Sequence, residues 1–257
     1  DGEDFIITPS KLVINSGELS ADAVLTAVRD SIDESDETVS VFVKGDVNKV
    51  ANLTITENIC NFIDKSISGT ITEDLTLFKE CSPYIVSGNV VVGEGVTLSI
   101  EPGVELKFNP NTYLRVNGQL VAEGTPTDSI YFTGNNWKYI DIVSKRSDSR
   151  ISFANISDSG EGGMDWDYKV KLRNSILSNS VIENVMHGVE MRDSSLVVYS
   201  VIRELYGRAI NSSQSEVYGN IIERAWKVPG WQGVKPTVFL HNQSVFRNNI
   251  VRDIEGA

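Results

Sequence analysis

Apolar and polar residues alternate strictly through the middle of the chain, from residue 84 to residue 132. Segments such as Val96–Ile100, Val104–Phe108 and Leu114–Val116 have an apolar residue at every second position, so these side chains lie on one face of a strand. Glycines separate the segments. Alternation with period two over short runs predicts β-strands that are buried on one side. The pattern therefore predicts many short strands joined by tight turns.

One six-residue phrase recurs four times in the last third of the chain. It begins at Ser180, Ser200, Asn220 and Asn249, with steps of 20, 20 and 29 residues. Each copy has a small polar residue, two β-branched residues, two charged or polar residues and a final aliphatic residue. A period near 20 with β-branched cores predicts a β-solenoid, in which each turn buries its apolar face against its neighbours.

Two columns of side chains follow from stacking these phrases. The fourth position alternates in charge from turn to turn, and stacked strands lie about 4.8 Å apart. We therefore expect a ladder of ion pairs that fixes the register, each pair contributing about 0.2–1 kcal/mol. We expect the small polar leading residues to form a second ladder, which satisfies backbone groups at a corner. The charged column consists of Glu183, Arg203, Glu223 and Arg252.

The phrase leaves two details open. Either of its two β-branched residues could face the core. In the last turn, a 28-residue step from Val217 to Val245 competes with the 29-residue step of the phrase.

Residues 1–57 alternate in the manner of an antiparallel β-sandwich, with turn residues between the strands. The acidic run Asp33-Glu34-Ser35-Asp36-Glu37 before the strand Thr38–Val43, followed by Leu53–Glu57, resembles the second half of a Calx-beta domain. That resemblance implies bound calcium and an extracellular adhesive protein. Calcium takes 6–8 oxygen ligands, and a solvated acidic loop is the alternative. The candidate ligands are Asp30, Asp33, Glu34, Asp36 and Glu37.

Residues 82–257 carry a second resemblance. The alternating strands and the turns Glu101-Pro102-Gly103 and Glu123-Gly124-Thr125-Pro126 closely resemble the first coils of right-handed parallel β-helix proteins of the pectin-lyase-like class, including bacterial cell-surface members. We therefore predict an all-β chain. It consists of a partial β-sandwich over 1–57, a linker over 58–81 and a right-handed, single-stranded parallel β-helix over 82–257. Because the chain opens in strand-like sequence and ends without a cap, we expect further domains of a longer polypeptide as partners.

Charge and composition exclude two classes of partner. The net charge of the 257 residues is −12, and residues 1–81, with 16 acidic and 6 basic residues, account for −10 of it. Residues 82–257, with 19 acidic and 17 basic residues, contain no basic stripe to neutralise phosphates, so nucleic acid is not expected as a partner. No apolar run approaches the ~18 residues of a membrane span.

Two cysteines, Cys60 and Cys81, flank the predicted junction. A disulfide between them would stabilise the fold by about 3 kcal/mol through loop entropy, and two unrelated buried thiols are the alternative. Together with the resemblances, the disulfide predicts a secreted or cell-surface protein.

Two turns are longer than 20 residues and indicate a site. Aligning Asn155-Ile156 with Asn184-Val185 gives an upstream turn of 29 residues whose extra residues lie near 160–168; the second extra stretch is 226–236. Both follow the same strand of their turns, so we expect them on one edge, roughly 14–15 Å apart. The turns between them should expose Met186, His187, Tyr206 and Arg208.

These residues predict a groove with aromatic walls, in which sugar rings could stack. The candidate ligand-binding residues are Trp166, Tyr168, His187, Tyr206, Arg208, Trp226 and Trp231. Tryptophans that merely cover the core are the alternative. The catalytic signatures of polygalacturonases and pectate lyases are absent. If the protein were an enzyme, the candidates would be Asp165, Asp167 and Arg208. A lyase with a basic residue and calcium could use Lys169, Lys171, Arg192 or Arg208, but each of these four is expected to be a solvated surface residue.

The sequence thus favours a non-catalytic structural or adhesion module that contacts glycans. A polysaccharide lyase or glycoside hydrolase working in the same groove is the first alternative, and an inert spacer is the second.

Overall fold

The computed structural model describes residues 65–144, 148–158, 168–225 and 238–254 in full, together with the backbone of four earlier strands. The chain is all-β, and its described residues contain a single 3₁₀ turn, Lys79–Cys81, and no α-helix. The chain divides into two compact units, residues 1–62 and residues 63–257. In the first unit, β1 (Phe5–Thr8) pairs antiparallel with β2 (Val24–Ala27), and β3 (Glu37–Val43) pairs antiparallel with β4 (Lys49–Ile55).

In its described residues, the second unit is a parallel β-solenoid of 23 short strands. In chain order the strands are β5 (Ser66–Ile71), β6 (Leu75–Leu77), β7 (Tyr84–Val92), β8 (Thr97–Ile100), β9 (Glu105–Phe108), β10 (Leu114–Val116), β11 (Gln119–Glu123), β12 (Ile130–Gly134), β13 (Ile140–Ile142), β14 (Arg150–Ser152), β15 (Ala154–Ser157), β16 (Tyr168–Arg173), β17 (Ile176–Ser178), β18 (Val181–Val185), β19 (His187–Arg192), β20 (Leu196–Val198), β21 (Val201–Leu205), β22 (Ile210–Ser213), β23 (Glu216–Tyr218), β24 (Ile221–Ala225), β25 (Val238–His241), β26 (Val245–Arg247) and β27 (Ile250–Ile254).

Every third strand stacks on the same face, which gives the solenoid three faces. Sheet 1 contains β10, β13, β16, β19, β22 and β25; sheet 2 contains β6, β8, β11, β14, β17, β20, β23 and β26; sheet 3 contains β9, β12, β15, β18, β21, β24 and β27. The long strand β7 serves two faces, because its first half pairs with β9 and its second half with β10. Six successive three-strand turns follow, from β10–β12 to β25–β27. The predicted parallel β-helix is confirmed.

The solenoid begins within the segment that the sequence suggested as a linker. Strand β5 pairs parallel with β7, and β6 pairs parallel with β8. The segment Ser66–Ile71 is rich in Ser, Thr and Gly, so its strand signal is weak in the sequence. Its strand conformation comes from the neighbouring turn, which supplies hydrogen bonds and an apolar surface.

Stacked aliphatic side chains form the core. On sheet 3, Phe132, Ile156, Ile182, Ile202 and Ile222 follow one another in register and are fully buried. The second β-branched residue of each phrase therefore faces inward and the first faces outward, which settles the open orientation. Such continuous columns remove apolar surface from water in every turn.

The fifth position of the phrase bends the chain. Its residues adopt left-handed backbone conformations, and the strand register skips them, so the sixth residue returns to the core. Asn and Asp tolerate this conformation better than other side chains, yet two turns place longer residues there. The residues are Asn184, Glu204, Arg224 and Asp253, with φ of 56, 55, 52 and 54°.

The register of the two long turns is now defined. In the last turn, Val217 pairs with Phe246 and Ile221 with Ile250, so the step is 29 residues. In the upstream turn, Ile156 pairs with Ile182, a step of 26, so the predicted alignment of 29 was wrong. The Asn-aliphatic pair at 155–156 resembled the end of the phrase, but burial places Ile156 opposite the second aliphatic position.

The connection from sheet 2 to sheet 3 forms the predicted polar ladder. Backbone N–H groups of Ala154, Ser180, Ser200 and Asn220 donate to the side-chain oxygens of Ser180, Ser200, Asn220 and Asn249 in the next turn, at 3.1, 3.2, 2.8 and 2.8 Å. Each leading side chain therefore satisfies a buried donor of the preceding turn. We call the segments 179–180, 199–200, 219–220 and 248–249 the ladder corner.

A second ladder, which the sequence reasoning missed, joins sheet 1 to sheet 2. The N–H groups of Leu120, Ser175 and Ser195 donate to the hydroxyls of Ser149, Ser195 and Ser215. Serine immediately before β17, β20 and β23, at steps of 20, was the available signal.

The charge ladder on the outside of sheet 3 is also present. Arg203 Nε lies 2.8 Å from Glu183 Oε2, and Arg252 Nη2 lies 2.6 Å from Glu223 Oε2. A parallel pair joins Arg224 Nε to Glu204 Oε1 at 2.9 Å. The alternating column therefore forms ion pairs between adjacent turns, consistent with control of register.

Candidate functional site at the variable corner

The third corner differs from the other two because its connections vary widely in length. These connections run from sheet 3 to sheet 1, and we call them the variable corner: 109–113, 135–139, 158–167, Met186, 206–209 and 226–237. The two long connections follow β15 and β24, which are separated on sheet 3 by β18 and β21. The prediction that both extra stretches emerge from one edge, three turns apart, is confirmed.

Several predicted site residues lie outside the described residues. They are Asp165, Trp166 and Asp167 in the first long connection, Trp226 and Trp231 in the second, Cys60, and the N-terminal acidic residues Asp30, Asp33, Glu34 and Asp36 together with the side chain of Glu37. Their roles stay predictions.

Three of the remaining candidates come together at the start of the sheet 1 strands. Tyr168 and His187 pair in register, and their rings lie 5.2 Å apart. The Nδ1 atom of His187 accepts a hydrogen bond from the backbone N–H of Arg208 at 2.8 Å. The Arg208 guanidinium lies over the Phe239 ring of the following turn, 5.0 Å from its centroid. The result is a stacked cluster that crosses four turns.

His187 is buried, so the prediction that it is exposed was wrong. Only 4% of its surface is accessible. Its ring lies beneath Gly207, where an added Cβ would come within 2.3 Å of imidazole atoms. The absence of a side chain at Gly207 lets the imidazole pack inside the corner, where it accepts a backbone hydrogen bond instead of meeting solvent.

Tyr168 is also buried, and burial raises the pKa of its phenol, although the nearby Arg208 opposes that shift. Within the described part of the chain, neither Tyr168 Oη nor Arg208 Nε has a partner with full hydrogen-bond geometry. Tyr206 is different, because 41% of its surface is exposed. Of the described aromatic candidates, Tyr206 is therefore the one with a substantially exposed side chain, and Tyr168 and His187 are buried inside the corner.

A buried ion pair anchors the base of this corner. Lys169 Nζ lies 2.8 Å from Asp158 Oδ2, donates to the Trp137 carbonyl at 2.6 Å, and sits 4.1 Å from the centre of the indole. The expectation that Lys169 is solvated was wrong. Trp137 is itself buried, stacked on Phe108, and its indole N–H donates to the Ser157 carbonyl.

The outer face of sheet 1, next to the variable corner, is strongly polar. Its central column carries Arg115, Asp141, Lys171, Glu190 and Asn211 in consecutive turns. Two shallow depressions of about 210 and 410 Å³ lie along it, sharing Arg173, Glu190 and Arg192. This alternation of charge was visible in the sequence, but the irregular spacing of the upstream turns obscured it.

The charges on this face are paired with one another. Arg115 lies 2.9 Å from Asp141, Arg192 lies 2.8 Å from Glu190, and Lys171 sits over the Tyr139 ring at 4.0 Å. Glycoside hydrolysis needs two carboxylates placed about the scissile bond. On this face, the carboxylates of Asp141 and Glu190 are each engaged by an arginine instead. The described residues also contain no group of three His, Cys, Asp or Glu that could hold a metal ion.

Two further features concern the cysteines and membrane-spanning helices. Cys81 is disulfide-bonded, and Cys60, the other cysteine of the chain, lies outside the described residues. Among the described residues, no helix has the length and hydropathy required to cross a membrane.

Comparisons with known proteins add little about function. No family model matches the chain, and no solved structure matches it. A stretch of 62 residues, 24% of the chain, is 44% identical to Protein bark beetle of Drosophila melanogaster. The chain spans about 2% of the length of that relative. The resemblances to pectin-lyase-like and Calx-beta proteins therefore rest on the motifs quoted above.

Proposed function

We propose that this chain is a rigid structural and adhesion module of a secreted or cell-surface protein, and that its variable corner contacts glycans. The observation that supports a structural role most strongly is the way the solenoid uses its polar groups. Corner side chains bind backbone groups of the adjacent turn. Charged side chains on sheet 1 form ion pairs within that sheet, and those on sheet 3 do the same. Such ladders stiffen a scaffold, and in the described residues they engage charged side chains of these faces in ion pairs.

Contact with glycans is supported by the variable corner itself. Insertions in solenoids map to loops on one face, which is often the binding face. Here two long connections flank exposed Tyr206, roughly 14–15 Å apart by strand spacing. Carbohydrates present apolar ring faces and hydroxyls, which suit an amphipathic phenol beside a guanidinium such as Arg208.

An extracellular location is part of the same proposal. The disulfide at Cys81 supports it, because disulfides persist in oxidising compartments. Calcium binding by the acidic segment that includes Asp30, Asp33 and Asp36 also belongs to the proposal, on the strength of its resemblance to Calx-beta loops.

The experiment is an oligosaccharide array probed with the full chain and with three single variants, Tyr206→Ala, Trp226→Ala and Trp231→Ala. Tyr131→Ala is the matched control, because Tyr131 is 42% exposed on the outer face of sheet 3, away from the variable corner. We expect the wild-type chain to retain a glycan, the three variants to lose it, and the control to keep it.

A parallel assay measures new reducing ends and unsaturated products from any retained glycan. We expect no product. Product formation would contradict the non-catalytic proposal and direct attention to Asp165, Asp167 and Arg208. The absence of any retained glycan would contradict the glycan-contact part and favour an inert spacer.

A further inference from the structure

The ladder corner carries an aromatic side chain that the fold does not require. In the register of the stacked turns, Phe153, Asn179, Tyr199, Gly219 and Asn248 occupy one position, and each has a positive φ between 47 and 68°. Asn and Gly adopt this conformation readily, whereas bulky side chains rarely do. Phe153 is half-buried, but Tyr199 has 58% of its surface exposed.

The neighbouring turns hold the Tyr199 ring in place. Gly219 lies beside it, and a Cβ there would come within 2.8 Å of two ring carbons, so only glycine leaves space for the phenol. Tyr218 meets the ring edge-on, with centroids 5.4 Å apart. The neighbouring Tyr218 side chain is the main cause of the raised pKa of Tyr199. The ring is therefore ordered before any partner arrives.

Polar groups surround this ring pair. Asn248 lies beside the Tyr218 hydroxyl and is the main cause of its lowered pKa. The Arg247 guanidinium lies over the Tyr218 ring at 4.7 Å, and Arg247 Nε donates to Glu216 Oε1 at 2.6 Å. The two ions neutralise each other. The Tyr199 platform, formed by Tyr199, Tyr218, Asn248, Arg247 and Glu216, thus combines an exposed ring with fixed donors and acceptors and no net charge.

We propose that the Tyr199 platform is a binding site for a neutral oligosaccharide, distinct from the variable corner. A sugar ring can lie on the exposed phenol while its hydroxyls meet the amide, guanidinium and carboxylate at the rim. Rigid aromatic side chains give contact area at low entropic cost, and preorganised polar groups reduce the cost of binding. Charge balance favours a neutral sugar over an anionic one.

The two sites lie at opposite ends of β21, because Tyr199 precedes the strand and Tyr206 follows it. The platform inference extends the proposed glycan contact to a second site, but it does not depend on the variable corner. Single substitutions at Tyr199 and Tyr206 therefore separate the two.

The key variant is Tyr199→Asn. Asparagine occupies the equivalent position one turn earlier and two turns later, so this change suits the backbone and removes only the ring. Tyr199→Phe keeps the ring and removes the hydroxyl. Binding would be measured with immobilised cellohexaose, maltohexaose and mannohexaose, with an oligogalacturonate as the anionic comparison, on the full chain.

We expect at least one neutral hexaose to bind the wild-type chain in preference to the oligogalacturonate. Tyr199→Asn should weaken that binding by about tenfold or more, with an unchanged or higher melting temperature. Tyr199→Phe should bind with intermediate affinity, and Tyr131→Ala should match the wild type.

Other outcomes overturn one proposal or both. Loss of binding in Tyr206→Ala with full binding in Tyr199→Asn would overturn the platform and support the variable corner. The reverse pattern would support the platform alone. Absence of any hexaose binding, or binding of a protein partner through Tyr199 in place of a sugar, would overturn the platform as a carbohydrate site.

Discussion

The ladder corner and the variable corner are built on the same strands of sheet 3, yet they are organised in opposite ways. In the last four turns, the ladder corner keeps two-residue connections, whose buried Ser180, Ser200 and Asn220 each bond the turn beside them. The variable corner ranges from one residue, Met186, to the twelve residues 226–237. A solenoid therefore needs one corner to hold its register and can leave another free to vary.

This contrast separates stability from recognition. Side chains at the ladder corner are interchangeable among Ser and Asn because they perform one repeated task. Side chains at the variable corner differ from turn to turn, and loops positioned by a rigid scaffold are where binding residues concentrate. Tyr199 is an exception to this division, because it places an exposed ring on the ladder corner.

The largest expected effect is at the base of the variable corner. Lys169→Met removes the cation that faces Asp158, whose side chain is only 12% exposed, and so breaks this buried ion pair from one side. We expect the free energy of unfolding to fall by about 3–5 kcal/mol in denaturant titration. Lys107→Met, at a lysine that is 51% exposed, is the control and should change little. A loss below about 1 kcal/mol for Lys169→Met would show that the pair does not anchor the corner.

The next effect is at the ladder corner. The Asn220 side chain accepts from the N–H of Ser200 and donates to the carbonyls of Val197 and Tyr218. Asn220→Ala removes these hydrogen bonds and leaves the buried N–H of Ser200 without its acceptor, so we expect a loss of about 2–3 kcal/mol. Asn89→Ala, at an exposed strand position, is the matched control. Equal stability of the two variants would contradict the structural role of the ladder.

A smaller effect depends on pH. Arg252 hydrogen-bonds Glu223 and lowers its pKa below the ordinary value of 4.5. The group therefore stabilises the fold above pH 4.5, and that contribution is lost as the pH falls through the lowered value. We expect wild type and Glu223→Gln to differ in unfolding free energy at pH 7 and to converge in acid. A difference that grows as the pH falls would have the wrong sign for this ladder.

The smallest effect on stability is expected for Tyr206→Ala. The residue is exposed at the variable corner, so the free energy of unfolding should stay within about 0.5 kcal/mol of the wild type. Circular dichroism during thermal unfolding measures this directly. A large loss would place Tyr206 among the structural residues and remove it from the candidate binding surface.

The fold was largely predictable because the same sequence pattern recurs in successive turns of the solenoid. The phrase that begins at Ser180, Ser200 and Asn220 predicts the strand, the corner ladder and the charge ladder together, and all three are present. The register of the upstream turn was not predictable, because burial of Ile156 determines it, whereas the local sequence favoured another alignment.

The candidate site was less predictable, because exposure depends on the neighbouring turn. His187 is buried through the absence of a side chain at Gly207, twenty residues later. Lys169 is buried because Asp158 and Trp137 surround it across the corner. Tyr199 went unnoticed because its significance rests on its backbone conformation and on Gly219 in the next turn. None of these contacts has a local sequence signal.

Native-state hydrogen–deuterium exchange, read by mass spectrometry on the full chain, tests the contrast between the corners most directly. The account predicts that the ladder-corner amides of Ser200 and Asn220, which are buried and bonded to side chains, exchange only through global unfolding. The amide of Gly207 in the connection 206–209 should exchange sooner, through local opening, whereas the Arg208 amide is held by His187. Equal protection at the two corners, or faster exchange at Ser200 and Asn220, would contradict the claim that one corner holds the register and the other is free to vary.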